Sequence, residues 1–191
     1  DKKLTDELEK YLGIGLDQNN LSLEIVGSGL GKSFYRQMLT GILFSFLLMA
    51  IVVFITYRTF IPSLAVVFAA FMDIVVTLAI VNLIGIKLSA AGIAAFLLLI
   101  GYSIDTDILQ TTRVIKRREG TPIDRMAESV KTGLTMTLAA LMAMGVGYFV
   151  STSYTMKEMF LIILIGLFVD IIATYLMNSS ILLSYAEKKG L

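Results

Sequence analysis

Five stretches of this 191-residue chain are long and apolar enough to cross a lipid bilayer, and they fix the class of fold before any motif is read. A spanning helix needs about 20 apolar residues, because hydrocarbon offers no partner for a broken backbone hydrogen bond. Residues 37–57 carry no formal charge, and 59–86 carry only Asp73. Residues 88–112 hold Asp105 and Asp107, 132–156 are uncharged, and 159–186 hold only Asp170. Helices are expected at about 37–57, 63–84, 90–112, 132–152 and 159–184. The fold class is an all-α membrane protein, with a five-helix transmembrane bundle over 37–186.

The flanking segments differ in kind. Residues 4–12 read as a short amphipathic helix, and 20–26 alternate like a strand before Gly27-Ser28-Gly29 breaks the pattern. One helix and one strand cannot bury a core alone. Residues 1–36 are therefore expected to be the C-terminal remnant of an external domain. The 113–130 connection is basic, and its Thr121-Pro122 pair looks like a helix start leading into the fourth span. Positive charge sets orientation. Arg113, Lys116, Arg117, Arg118 and Arg125 in that loop, with Arg58, Lys188 and Lys189, outnumber Lys32, Arg36, Lys87 and Lys157 on the opposite side. The loop and the 187–191 tail are thus expected in the cytoplasm and the N-terminal segment outside.

Composition closes several routes. Without cysteine there are no disulfides or thiolate metal sites, and without histidine any proton handling rests on carboxylates, lysine, tyrosine or water. A net charge of +1 points to no nucleic-acid partner. No nucleophile–base or metal constellation is visible, so neither an enzyme nor a cofactor is expected. The run 27–33 looks superficially like a phosphate loop but lacks the spacing.

The buried acids then call for an explanation, since a charge near the bilayer centre costs about 3 kcal/mol on insertion scales. Asp105 and Asp107 are two residues apart, about 200° around a helix, and so face different neighbours. Asp107 shares a polar stripe with Ser103, Thr106, Gln110 and Thr111; Asp105 lies with Tyr102, Leu109 and Thr112. Either carboxyl is a candidate proton carrier, and either can be read instead as a structural group. Asp73 and Asp170 are further relay candidates. Lys131, opening the fourth helix, either snorkels to the interface or serves as a counter-ion for Asp105 or Asp107. A ladder of small residues, Thr135, Ala139, Ala143 and Gly147, suggests that the fourth helix is central in a tight bundle.

Several segments, in order, resemble the SecF subunits of SecD–SecF protein-export complexes, in the proton-driven RND transporter superfamily. EIVGSGLGKSFYRQ from Glu24 is similar to the segment leaving the family's first external domain. FMDIVVTL around Asp73 resembles the family's helix with histidine before aspartate, and Met72 stands where that histidine would be. The 88–114 segment resembles the helix ending in GYSIND, and SVKTGLTMTLAAL resembles RTLLTSLTTL. The resemblance implies that the five spans are the second to sixth SecF helices. It implies work with SecD beside the Sec translocon, using a proton or sodium gradient to help draw unfolded secretory polypeptide across the plasma membrane. The family's carboxylate aligns with Thr106, flanked by Asp105 and Asp107. Asp105 aligns with an aspartate of the sister subunit SecD, Lys131 with an arginine, and Asp170 with a glycine. These departures point to an archaeal type. A half-transporter for small apolar compounds and a non-transporting scaffold for SecD are the competing functions.

Overall fold

The computed structural model describes residues 2–13, 15, 28–86, 88–117 and 119–190, and every described element is helical. A short helix α1 (Lys2–Leu12) precedes α2 (Ser28–Tyr57), α3 (Phe60–Ile84), α4 (Ala90–Lys116), α5 (Pro122–Val150) and α6 (Tyr154–Ile172). A π-helical turn, Ala173–Asn178, joins α6 without a break to α7 (Ser179–Lys189). The membrane-length helices are Leu39–Tyr57, Phe60–Ile84, Ala90–Lys116, Pro122–Val150 and the continuous rod Tyr154–Lys189. The expected strand at 20–26 lies outside the described residues.

The helix starts explain the connections. Ser89 caps α4, its hydroxyl accepting from Gly92 N at 3.4 Å. Thr121 and Asp124 form a reciprocal capping box on α5, with Pro122 in the first turn. The amphipathic start and the fourth span are therefore one 29-residue helix. α2 begins at Ser28, inside the stretch assigned from sequence to the external segment. No proline stands between Ser28 and Arg36, and glycine costs a helix only about 1 kcal/mol per residue.

α4 and α6 form the centre, with α3 alongside and α2 and α5 flanking. The apolar core runs through Phe96, Leu99 and Ile100 of α4, Ile162, Ile163 and Leu167 of α6, and Ile74 and Val81 of α3. Gly166 lets α6 close on α4, since a Cβ there would run into the Leu99 side chain. The ladder on the fourth span does not make α5 central. Only 11 % of the α2 and α5 spans is buried, against 44 % of α3 and α4. Thr135, Ala139 and Ala143 are exposed. The inward face of α5 is the other one, where Gly133 and Thr137 are buried.

Candidate functional site

Three aspartates from three helices meet in the buried middle of the bundle. Asp73 of α3, Asp107 of α4 and Asp170 of α6 are each at most 1 % exposed. Spacing delivers their partners: Ser103 lies one turn before Asp107 on the inward face of α4, and Thr174 lies four residues after Asp170. Ser103 Oγ donates to Asp73 Oδ2, and Asp170 is buried beside this pair. The Thr174 hydroxyl stands 3.2 Å from Asp170 Oδ1 and 3.0 Å from Asp107 Oδ1. Its single proton can serve only one of them at a time.

The chain continues toward the basic end. Asn178 Nδ2 donates to Asp107 Oδ1 at 2.7 Å and to Gln110 Oε1 at 3.3 Å. Gln110 Nε2 donates to Ser179 Oγ at 2.5 Å and approaches Met126 Sδ at 3.0 Å. Ser179 Oγ donates to Thr174 O at 3.1 Å. Asp170, Thr174, Asp107, Asn178, Gln110 and Ser179 thus form one connected hydrogen-bonded path inside the bundle, with the bonded Ser103–Asp73 pair buried beside Asp170.

The π turn sets this geometry. In an α-helix each step of four residues drifts about 40° around the axis, so Asp170, Thr174 and Asn178 would fan apart by about 80°. A π turn holds more residues and takes up that drift, and such turns recur at functional sites. It brings Thr174 and Asn178 onto the same carboxyl oxygen.

Several buried oxygens remain without a hydrogen-bond partner among the described residues: Asp73 Oδ1, Thr77 Oγ1, Asp107 Oδ2, Thr111 Oγ1 and Asn178 Oδ1. No basic side chain pairs with any of the three aspartates among the described residues, where the ion pair is Arg117–Glu128 at 2.7 Å, on the surface. Such a cluster can hold a cationic species and pass a proton between hydroxyl and carboxyl. No group of three or more acidic, histidine or cysteine side chains is arranged to hold a metal ion among the described residues.

The other sequence candidates lie elsewhere. Asp105 is exposed and lines a groove of about 390 Å³ between α4 and α5, with Tyr102, Thr106, Thr137, Ala139, Ala140 and Ala143. Lys131 is exposed and pairs with neither Asp105 nor Asp107. Thr106 is buried with its hydroxyl donated to Tyr102 O at 3.3 Å, and Thr111 is fully buried. Thr174, Asn178 and Ser179 entered through the structure. The Asn178-Ser179-Ser180 run interrupting an apolar span was the available signal.

The chain matches the family described as protein export membrane protein SecD/SecF, C-terminal, over residues 7–188. It is 44 % identical over 174 residues to the protein-export membrane protein SecF of Methanothermobacter thermautotrophicus, covering 88 % of this chain and 61 % of the relative. The SecF proteins of Methanolacinia petrolearia and Pyrococcus furiosus are 40 % and 38 % identical, over 86 % of this chain and 59 % and 56 % of theirs. The chain thus spans about three-fifths of the length of these relatives. No solved structure shows a significant match.

Proposed function

The chain belongs to the SecD/SecF family of protein-export membrane proteins as a SecF subunit, and from that premise we propose that its buried carboxyl cluster takes up and releases the ion whose gradient assists export. The ion is a proton or sodium, and the protein works with SecD beside the Sec translocon on unfolded polypeptide. One observation carries the reading. Asp73, Asp170 and Asp107 are enclosed together in one buried polar cluster with no basic side chain to compensate them among the described residues. Intramembrane acids are costly and tend to mark ion paths. A mobile cation is the compensation such a site calls for, and loading or unloading it changes the forces across the α3–α4–α6 contact.

Within this reading Asp107 and Asp170 carry the ion, and Thr174 bridges them. Asp73 with Ser103 forms the far end, and Asn178 and Gln110 orient Asp107. Asp105 takes a different part. A carboxyl on an open groove of small residues suits a partner helix that approaches closely and offers a donor or cation, and SecD is that partner. Lys131, beside the same face, shares this contact. The excess of basic residues favours a cytoplasmic 113–130 segment and C-terminus, with α1 outside, in the plasma membrane.

The test is export into vesicles under an imposed gradient, using the full-length protein assembled with SecD. Asp107→Asn is expected to remove the gradient-dependent part of export while leaving assembly intact. Asp105→Asn is expected to weaken co-purification with SecD. If Asp107→Asn and Asp170→Asn both leave the gradient dependence whole, the ion-coupling account fails and the scaffold role replaces it. Resistance to small apolar compounds that tracks Asp107 while export does not would instead favour a half-transporter.

A further inference from the structure

The carboxyl cluster is sealed at both ends, and unequally. Toward the basic end the path stops at Gln110 and Ser179, under a small apolar layer of Val114, Met126, Leu182 and Ala186. Toward the other end Phe96, Leu99, Ile162, Ile163 and Leu167 separate Asp170 from the membrane surface. On α6 the plug runs from Asp170 back to Glu158, twelve residues or about 18 Å. The route from outside to the cluster along α6 runs through the α4–α6 contact over that length.

Glu158 stands at the outer mouth of this contact. It is only 5 % exposed, and its Oε1 accepts a hydrogen bond from Ser89 N at 2.9 Å, where α4 begins. A carboxylate is favoured there by the helix dipole. The neighbouring packing is shaped around it: a Cβ on Gly92 would fall 2.7 Å from Glu158 Oε1 and 3.1 Å from Ile162 Cδ1. Below Glu158, no other hydrogen bond crosses from α4 to α6 before Asp170 among the described residues. In lipid, apolar helix faces gain little from each other over lipid tails, so packing alone holds them weakly and a polar tie weighs more.

We propose that Glu158 is a positioning residue for the ion path: its bond to Ser89 clamps the outer end of the α4–α6 contact and sets how often that end opens to water. This rests on the ion-coupling reading above, and it extends that reading to a residue on the opposite side of the plug from the cluster. Gly92 belongs to the same device, because only a residue without a side chain leaves Glu158 its place.

The test is side-specific cysteine labelling. This chain has no cysteine, so Ile162→Cys in a full-length protein kept free of other cysteines reports water in the plug. The protein is assembled with its membrane partners in oriented vesicles and treated from outside with a membrane-impermeant thiol reagent. Labelling is expected to be slow in the parent background. It should rise about five- to eighteenfold with Glu158→Ala, the upper part of the range that loss of one hydrogen bond gives in a membrane. Glu158→Gln keeps an acceptor for Ser89 N and should stay within about threefold of the parent. Gly92→Ala, which drives the carboxyl from its seat, should behave like Glu158→Ala. Unchanged labelling in both alanine variants would overturn the clamp. So would an equal rise at Val114→Cys, labelled from the basic side, because that reports general loosening. The measurement reads the helix contact and not export, so its failure is distinguishable from failure of Asp107→Asn to alter gradient dependence.

Discussion

Replacing Asn178 with alanine removes two hydrogen bonds at once, the 2.7 Å bond to Asp107 Oδ1 and the 3.3 Å bond to Gln110 Oε1. A hydrogen bond to a charged group contributes about 1.5–3 kcal/mol in soluble proteins. Couplings inside bilayers are smaller, averaging about 0.6 and reaching about 1.7 kcal/mol, because the inserted unfolded chain also finds partners. The Asn178–Asp107 bond is short and fully enclosed, so it belongs in the upper part of the membrane range; the longer bond adds little. We expect a coupling of about 1–1.5 kcal/mol between Asp107→Ala and Asn178→Ala, or about a five- to thirteenfold effect on the unfolding equilibrium. The assay is a double-mutant cycle read by reversible unfolding in mixed detergent micelles. Asp105→Ala is the control: it faces the open groove, so its combination with Asn178→Ala should add within about 0.5 kcal/mol. A coupling for Asp107 no larger than that control would refute the network as drawn.

Other expectations follow from close packing and caps. Gly133→Ala places a Cβ against Tyr175 Oη and 3.2 Å from Thr106 Cγ2, and should lower thermal stability in detergent by about 1–3 kcal/mol. Tyr175→Phe, which deletes a buried hydroxyl without a partner among the described residues, should restore part of that loss. Gly166→Ala should cost a similar amount through Leu99, and Leu99→Ala in the same chain should relieve the clash, leaving the pair less than additive by unfolding. Arg125 is 3 % exposed and donates to Arg117 O, holding the end of α4 against the start of α5. Arg125→Ala should speed hydrogen exchange over the last turn of α4 without altering the bundle core.

The membrane spans were legible because runs of 20 apolar residues have few other fates, and the break at Gly85 shows in the structure as a left-handed cap on α3. The difference between Asp105 and Asp107 was legible only as a 200° separation. Both carry polar neighbours in sequence, so periodicity alone could not say which face turns inward. The packing of α3 and α6 against α4 decides it, and those contacts are non-local. Thr174 and Asn178 escaped because α-helical spacing fans them away from Asp170, and the π turn that gathers them leaves no clear mark in the sequence. Glu158 falls between the apolar spans 132–156 and 159–186 in sequence, and its buried partner, Ser89, lies sixty-nine positions earlier. The small-residue ladder of α5 misled for a related reason: small residues mark a close approach but do not say whether the approaching helix belongs to the same chain.

The central claim is that Asp107 and its enclosed partners bind the coupling ion. The most direct measurement is ion uptake into vesicles carrying the full-length protein with SecD, following an imposed proton gradient and, separately, a sodium gradient. Uptake that depends on one of the two ions and disappears in Asp107→Asn, with Asp105→Asn retaining it once the complex is assembled, is the predicted result. Equal uptake in the parent and Asp107→Asn would contradict the account.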